Sequence, residues 1–490
     1  MFAKLCSIVA ALAVFCGTRV AAQDNDTLRL SFTQHGLNEV IELGTEVVYE
    51  ALAGGVTLPD IHIDTHVAEP LGHITLDLTD IQITKFTKPV GALTLAAPAS
   101  ADLQLSDIQF ELSCGYKWRK VHAPHASDHG TLTADPSSVV FSTSLAFAVT
   151  NGTASVAESG TSTDIGDFTI HFDGKVAWLY NLLVSLFGST IKTSISNAIT
   201  TAINKAIDVK LNDALAKIPS SVHLGGGKSE IDIGIFLSSI GVGTTPLSYF
   251  AVSDASQYVD NKTMETCPHG PTATLPFVVD DPGDAMLQLL VADNCFTCVL
   301  WVASNNGALD FTLPAGNTSE WALLIPALAK DYPNHAVSIA MSPEGEPDMR
   351  CTAEDGVVGT IVFHANSSVV DPASGNSTYT HTLRFAVSLG VEMFIGPNNA
   401  SEPSFIGNVT GLQMNTTVED SAIGHIAELP LGALSAIVGP VIRGATNKVL
   451  NAGLPIPAIG PIDISSSQVN AQHDGFFVLS GNMTLNVTEA

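Results

Sequence analysis

The clearest periodicity in the chain lies near its start. In FTQHGLNEVIELGTEVVYEALAGG, Leu37, Val40, Ile41, Val47, Val48, Ala51 and Leu52 recur at i, i+3, i+4 spacing, with Asn38, Glu39, Glu42, Glu46 and Glu50 opposite. That spacing predicts an amphipathic helix, stopped at Gly54-Gly55. The pattern then switches to period two. ITLDLTDIQI (Ile74–Ile83) and DLQLSDIQF (Asp102–Phe110) alternate, but each changes phase midway. Leu76 and Leu78 give way to Ile81 and Ile83, and Leu103 and Leu105 give way to Ile108 and Phe110. One extra residue in a period-two pattern predicts a β-bulge. Two strands bent alike are expected to be neighbours in a sheet that curls toward a barrel. SSVVFSTSLAFAV then places Val139, Phe141, Leu145, Phe147 and Val149 on one face.

The longest stripe runs from Val176 to about Leu215, through Ile191, Ile195, Ile199, Ala202, Ile203, Ala206, Ile207, Leu211, Ala214 and Leu215. A straight helix of that length measures roughly 60 Å, more than a compact core needs. Laid on a curled sheet, such a stripe encloses an elongated apolar interior. It ends at Ile218-Pro219, and the Gly-, Ser- and Thr-rich stretch Leu224–Leu275 reads as a connector. After Pro276 the pattern restarts. Asp293 is placed to cap a short helix with Phe296, Val299, Leu300 and Ala303 on one face. Strands follow from Ala308 to Phe405. LGALSAIVGPVIRGATNKVL sets Leu434, Ile437, Val438, Val441, Ile442, Ala445 and Val449 on one stripe around Pro440, where a kink is expected. Pro455, Pro457 and Pro461 turn the chain into a last strand. There Phe477, Leu479, Met483, Leu485 and Val487 point one way, along the wall of a second barrel. The order of helix, strands, long helix, proline and strand occurs twice, which predicts two diverged copies of one unit.

Composition adds a compartment and a charge. With 490 residues, 46% of them hydrophobic and only 14% charged, the chain has material for two or three cores. MFAKLCSIVAALAVFCGTRVAAQ has an early lysine, a short apolar core and the small residues Val20-Ala21-Ala22, so residues 1–22 read as a secretory signal peptide. Eleven Asn-X-Ser/Thr sites follow: Asn25, Asn151, Asn261, Asn317, Asn366, Asn376, Asn399, Asn408, Asn415, Asn482 and Asn486. Their skew to the second half predicts a more heavily sugared half there. Removal of the signal leaves 18 basic against 48 acidic residues, a net charge of −30. Such a surface repels nucleic acid, which is excluded as a partner. The five mature cysteines, Cys114, Cys267, Cys295, Cys298 and Cys351, are expected to pair as an even subset with one odd thiol, in a connectivity the sequence does not fix. No thioredoxin-like pattern surrounds Cys295-Phe-Thr-Cys298, so structural disulfides are favoured over a redox pair.

Five stretches, in order, carry a resemblance. They are TQHGLNEVIELGT, LPDIHIDTHVAEPLGHITLDLTDIQI, KVAWLYNLLVSLF, LLVADNCFTCVLWVASNNGALDFTL and LNAGLPIPAIGPIDISSSQVNAQHDGFFVLSG. Together they span both halves, and the chain resembles the bactericidal/permeability-increasing protein and lipopolysaccharide-binding protein family, with the lipid transfer proteins related to it. The resemblance implies an α+β boomerang of two barrel-like domains, each a strongly bent antiparallel sheet wrapped on a long amphipathic helix, joined by a central sheet. On that plan residues 24–224 form the first lipid-binding barrel domain, 225–275 the connector and central sheet, and 276–490 the second. The resemblance also implies an apolar pocket for phospholipid acyl chains in each domain, no cofactor and no covalent chemistry. The family's disulfide from a strand to the long helix is not possible here, because Gly188–Ile218 contains no cysteine. The strongly basic charge of the antibacterial members is absent too.

Pocket lining is expected from Leu37, Val40, Ile41, Val48, Ile195, Ile199 and Ile203 in the first domain, and from Val299, Leu300, Val438, Val441 and Ile442 in the second. One basic cluster stands out in the acidic chain. SCGYKWRKVHAPHASDH carries Lys117, Trp118, Arg119 and Lys120 with no acid between Leu112 and Ser127, and Lys85 and Lys88 precede it. By resemblance this is a hairpin tip that meets phosphorylated glycolipid, and Trp beside cations suits a membrane interface; a solubilising loop is the alternative. His62, Asp64 and His66 share a strand face, more often a solvent face than a zinc site, so no metal is expected. Nucleophile-elbow, zincin, P-loop and Rossmann patterns are missing, so no enzyme is expected. The reading is a secreted, extracellular glycoprotein that binds phospholipid or another lipid and has the pockets of a transfer protein. Recognition of lipopolysaccharide or a membrane surface in innate defence is the runner-up, and an adhesive or structural surface glycoprotein is the alternative of another class.

Overall fold

The computed structural model describes residues 26–490 apart from 54–55, 67–71, 123–124, 137, 151–152, 167, 174–176, 206–207, 209–211, 213–220, 227–228, 235–236, 244–248, 280–283, 398–402, 427–433, 456–461, 464–467, 483 and 486–490. The expected signal peptide, Asn25, Asn151, Asn399, Asn486 and most of the closing proline segment therefore lie outside the described residues. Five helices are described: α1 (Gln34–Ala53), α2 (Ala177–Lys205), α3 (Asn294–Asn305), α4 (Pro326–Asp331) and α5 (Leu434–Ala452). All named strand pairings are antiparallel.

Strand Leu28–Thr33 forms the seam between the halves. One edge pairs with Tyr249–Asp254 and the other with Leu287–Ala292. The six-stranded central sheet continues through Phe476–Gly481 to Gln468–His473. Leu287–Ala292 (LQLLVA) is buried at every position, as a strand covered on both faces is, and its one polar residue, Gln288, is satisfied by the backbone of Val279. Successive residues serve different cores. Leu289, Val291, Phe477 and Leu479 join a large one, while Leu290, Ala292, Phe476 and Val478 join a small one. This corrects the one-sided reading of the last strand, which runs through the central sheet rather than along a second barrel.

The first half holds two sheets. A six-stranded one runs from Phe168–Asp173 through Ser127–Pro136, Glu111–Lys120 and His73–Thr84 to Val56–Leu58, with Ile61–His66 also paired to His73–Thr84. A four-stranded one orders Thr153–Ile165, Val139–Thr150, Ser100–Ile108 and Val90–Ala96. Both expected bulges are present, as register shifts between Thr79 and Gln82 and between Leu105 and Ile108. Asp80 (φ 53°) and Asp107 (φ 57°) take the left-handed conformation there, one that Asp tolerates better than bulkier residues. The bulged strands are not neighbours, however; they belong to different sheets, and each bends its own.

Helix α2 spans 29 residues, about 44 Å at the usual rise. The rest of the expected 40-residue stripe falls largely outside the described residues. Helix α2 packs on Thr153–Ile165 of the four-stranded sheet and Phe168–Asp173 of the six-stranded one. Ile191 and Ile195 are fully buried in the core there, and Lys192 Nζ donates to the Gly166 carbonyl at 3.0 Å. In the second half a seven-stranded sheet includes the long hairpin Ser377–Pro397 and Pro403–Ser421, on which α5 packs with Pro440 inside it. Asp293 precedes α3 without capping it through its side chain. Its Oδ2 instead accepts the Thr272 hydroxyl at 2.7 Å, and its carbonyl takes the N–H of Phe296. Each half thus opens on a central strand followed by a helix (α1 or α3) and returns through a later helix (α2 or α5).

Cys267 and Cys298 form a disulfide. Cys114, Cys295 and Cys351 are free and buried, three unpaired thiols where one was expected. Cys295 accepts the Tyr258 hydroxyl at 2.6 Å, and burial pushes its thiol up to about 12. Cys295 and Cys298 are therefore not a dithiol pair.

The seam carries one buried ion pair. Arg29, 5% exposed, donates from Nε to Ser253 Oγ at 2.7 Å and from Nη2 to Asp26 Oδ2 at 2.5 Å, bonds the Leu275 carbonyl, and lies 4.2 Å over the Phe277 ring. Removing one partner of such a pair leaves an uncompensated charge. Arg29→Met should cost about 3–5 kcal/mol, and Arg29→Met with Asp26→Leu should recover part of that loss. Urea midpoints of the two variants against the parent check this.

Candidate functional site

The residues expected to line one pocket in the first half separate in the structure. Leu37 is fully buried in the large core with Phe147, Phe250 and Leu289. Ile195 is fully buried in a second core with Leu76, Tyr116 and Leu132, and Ile199 packs half-buried against it. The side chains of Val40, Val48 and Ile203 lie outside the described residues. What lies between the two cores is the inner face of Ser100–Ile108. Ala101 and Ile108 are buried at its ends, while Leu103 and Leu105 in its middle are half-buried. Leu103 packs toward the large core and Leu105 toward the second. The neighbouring strand Val90–Ala96 repeats this, with Leu95 buried and Leu93 half-buried.

Helix α1 covers this stretch because one position lacks a side chain. A Cβ on Gly91 would lie 2.4 Å from Ile41 Cγ2 and 2.8 Å from Thr45 Cγ2. Real Cβ contacts are never so short, so Ile41 and Thr45 ride directly on the strand backbone. Half-buried Ile41, Leu93, Leu103 and Leu105 lie between two closed cores, with buried Thr45 beside Ile41 on the helix. They are apolar side chains left partly uncovered.

In the second half Val438 and Ile442 of α5 are fully buried, and Val441 is half-buried. A Cβ on Gly439 would lie 3.5 Å from Leu412 Cδ2, in ordinary contact, so the helix sits close over that strand. Leu412, Met414 and Val418 along Pro403–Ser421 stay half-buried beside the core. Leu300 (2% exposed) and half-buried Val299 sit on α3, which packs on Asp348–Thr352, Ser229–Gly234 and Gln257–Asp260 rather than on the strand that carries α5. The expected second set thus divides between two places in one core.

The basic cluster divides too. Lys85 Nζ pairs with Glu111 Oε1 at 2.5 Å, at the start of Glu111–Lys120, and exposed Lys88 lies in the same connection. Lys117 and Arg119 come six to eight residues later along that strand, roughly 20–27 Å away. Lys120 sits opposite Ile74 at the far end. Lys85 and Lys88 are therefore not at the hairpin tip. Trp118 is 3% exposed and packed in the second core, its indole N–H without a partner among the described residues. The alternation Leu112, Cys114, Tyr116, Trp118 turns it inward, so its ring does not face a headgroup layer. Lys117 and Arg119 point outward, Arg119 Nε donating to Thr75 Oγ1 at 3.0 Å.

His62, Asp64 and His66 share the solvent face but do not converge. His62 Nδ1 meets Asp77 Oδ1 at 2.5 Å, Asp64 bonds His73, and His66 stacks on His73 with ring centroids 4.2 Å apart. Of the sequons, Asn366, Asn376, Asn415 and Asn482 are exposed, while Asn261, Asn317 and Asn408 are half-buried.

The model of the LBP / BPI / CETP family N-terminal domain matches residues 36–213, and that of its C-terminal domain matches residues 257–485. The chain belongs to this family. It is 23% identical over 384 residues to the lipopolysaccharide-binding protein of Mus musculus, covering 75% of this chain and 71% of the relative. The protein of the same name from Rattus norvegicus is 23% identical over 381 residues, with the same coverage. A crystal structure of lipopolysaccharide binding protein superposes with TM-score 0.56 at 17% identity, over 94% of this chain and 99% of that one. The fold is the α+β, two-domain fold of the LBP / BPI / CETP family.

For a member of this family the telling residues were ones the helical stripes do not reveal. Leu93, Leu103, Leu105, Leu412, Met414 and Val418 come from strands. Their alternation was legible, but which alternating residues stay half open depends on where a helix lands. Gly91 decides that in the first half. Gly91→Ala should overpack the α1 contact and destabilise by about 1–3 kcal/mol. A lowered thermal midpoint with unchanged far-ultraviolet circular dichroism is the expected result.

Proposed function

We propose that this LBP / BPI / CETP family member is a secreted, non-enzymatic glycoprotein that holds the acyl chains of phospholipid or a related lipid along the inner face of each half. The observation that carries this reading is the half-buried apolar surface of Ile41, Leu93, Leu103 and Leu105 between two closed cores. A buried methylene is worth about 0.8 kcal/mol, so a sixteen-carbon chain laid there gains on the order of 12 kcal/mol gross. In the second half Leu412, Met414, Val418 and Val441 offer the equivalent surface. Residues 24–224 and 276–490 are the two lipid-binding domains, with 225–275 contributing to the sheet between them. The ability to release one lipid and take another, and so to transfer it, follows from a surface left half open.

Native mass spectrometry of the chain secreted by a eukaryotic host, followed by lipid extraction, tests this. Bound phospholipid is expected, and a lipid-free protein would leave the adhesive or structural reading standing. Leu103→Trp, filling the open middle, should lower occupancy about tenfold, the equivalent of roughly two displaced methylenes.

A second reading has its own observation. Lys117 and Arg119 project from an exposed sheet face, and the curated relatives are named for binding lipopolysaccharide. Charges this close act locally despite the acidic body, because the Debye length is about 8 Å at physiological salt. On this reading the cations meet the phosphates of a lipid headgroup. Lys117→Glu with Arg119→Glu should weaken binding both to anionic liposomes and to lipopolysaccharide in low salt, measured by sedimentation. Unchanged binding assigns the face to solubility alone.

A further inference from the structure

The outer face of the seven-stranded sheet, away from the lipid surface, brings three metal-ligating side chains together. Glu344, His364 and Glu419 each offer a ligand atom, and these atoms lie within 4.8 Å of one another. His364 Nδ1 is 2.8 Å from Glu419 Oε2, and its Nε2 is 3.3 Å from Glu344 Oε2. Arg384 Nε lies 2.6 Å from the same Glu344 oxygen.

The backbone holds each residue in place. His364 lies mid-strand in Gly356–Val370, opposite Arg384 of Ser377–Pro397. Glu344 follows Ala336–Pro343, its N–H bonded to the Val362 carbonyl at 2.7 Å. Glu419 is the extra residue of a bulge. Val418 pairs with Leu383 and Asp420 with Thr382, leaving Glu419 between them without a register partner. Bulges re-aim a side chain, and this one sends Glu419 across the intervening strand to the imidazole on the next.

The donor set lacks one positive charge. A neutral imidazole has a single N–H, and ionised carboxylates only accept. With both ring nitrogens facing carboxylate oxygens, one contact sets acceptor against acceptor until a proton or a metal ion comes between. Two carboxylates and one Arg384 guanidinium leave the face at −1, which favours a divalent ion over an anion. Two carboxylate oxygens and one imidazole nitrogen, open to water at a fourth position, is a zinc-type ligand set. Bonds of about 2.0–2.2 Å set its ligand atoms roughly 3.4 Å apart, within reach of these half-exposed side chains by small rotations.

We propose that Glu344, His364 and Glu419 bind one divalent transition-metal ion of the zinc class, tying Ala336–Pro343, Gly356–Val370 and Pro403–Ser421 together across the outer face of the sheet. Arg384, bonded to Glu344, orients that carboxylate from outside the coordination shell, as metal-bound carboxylates commonly require. The site does not rest on the lipid reading.

The test is isothermal titration of the secreted, metal-stripped full chain with zinc chloride, repeated with cobalt for its visible ligand-field bands. One stoichiometric site is expected. His364→Ala should weaken it by at least the roughly 10–100-fold that loss of a supporting partner alone produces. Glu419→Gln, close in shape, should weaken it too and covers the case in which His364→Ala fails to fold. The absence of a stoichiometric site in the parent chain would overturn the proposal and leave a proton between the carboxylates. So would a site that survives both variants and vanishes in His66→Ala with His73→Ala, which would place the ion on the first-half histidines.

Discussion

The structure depends on one strand being covered on all sides. Leu28–Thr33 is hydrogen-bonded along both edges, to Tyr249–Asp254 and to Leu287–Ala292, and five of its six residues are buried. Its partners lie more than two hundred residues away in sequence, so the seam does not close until the chain has run past its midpoint. The buried Arg29 fits this placement. An exposed edge strand has no need of an internal guanidinium, whereas this one uses it to fasten Asp26, Ser253 and the Leu275 carbonyl around a single point. A hydrophobic residue would bury as much surface without fixing which strands meet.

From that seam the two halves diverge in how they pack. The large core runs from the central sheet into the second half and also takes in Leu95, Ala101, Leu145 and Phe147 of the first-half four-stranded sheet. The second core is built by the six-stranded sheet and α2, together with Ile108, Val139 and Ile165 of the four-stranded sheet. Ser100–Ile108 therefore belongs to both, with the bulge at Asp107 bending the strand between them. The neighbouring strand Val139–Thr150 also serves both cores, with Val139 in one and Leu145 in the other, yet buries its middle at Phe141 and Thr143. The half-open stretch at Leu103 and Leu105 therefore belongs to Ser100–Ile108 itself, and not to every strand shared between the cores.

Much of this could be read from the residues, and the failures have physical causes. The α1 stripe, the alternation of Val139–Thr150 and both bulges were legible, because each is a local periodicity enforced by burial of one face. The inward turn of Trp118 was equally legible from Leu112, Cys114 and Tyr116, but its neighbours Lys117 and Arg119 drew it to the surface in the reading. Phe477 and Leu479 do share one core, as their alternation predicts, but the last strand lies in the central sheet because Phe476 and Val478 fill a second core on its other face. The separation of Lys85 from Lys117 needed strand register, and the pairing of Cys267 with Cys298 needed the fold. The convergence of Glu344, His364 and Glu419 depends on a bulge over three strands, which no spacing in the sequence announces.

The two faces of the second-half sheet are held in different ways. Apolar residues left half-buried contribute less to the sheet that carries them than fully buried ones do. The inner face of Ser377–Pro397 is closed at Leu383, Phe385, Val387 and Leu389, whereas Pro403–Ser421 stays half-buried at Leu412, Met414 and Val418. The outer face carries polar contacts: Arg384 bonded to Glu344, His364 between two carboxylates, the Thr382 hydroxyl on Asn366 Oδ1, and the Tyr379 hydroxyl on Asp420. Exposed pairs of this kind are individually worth little. Linked across neighbouring strands, they tie the sheet together on its solvent side, where burial contributes little.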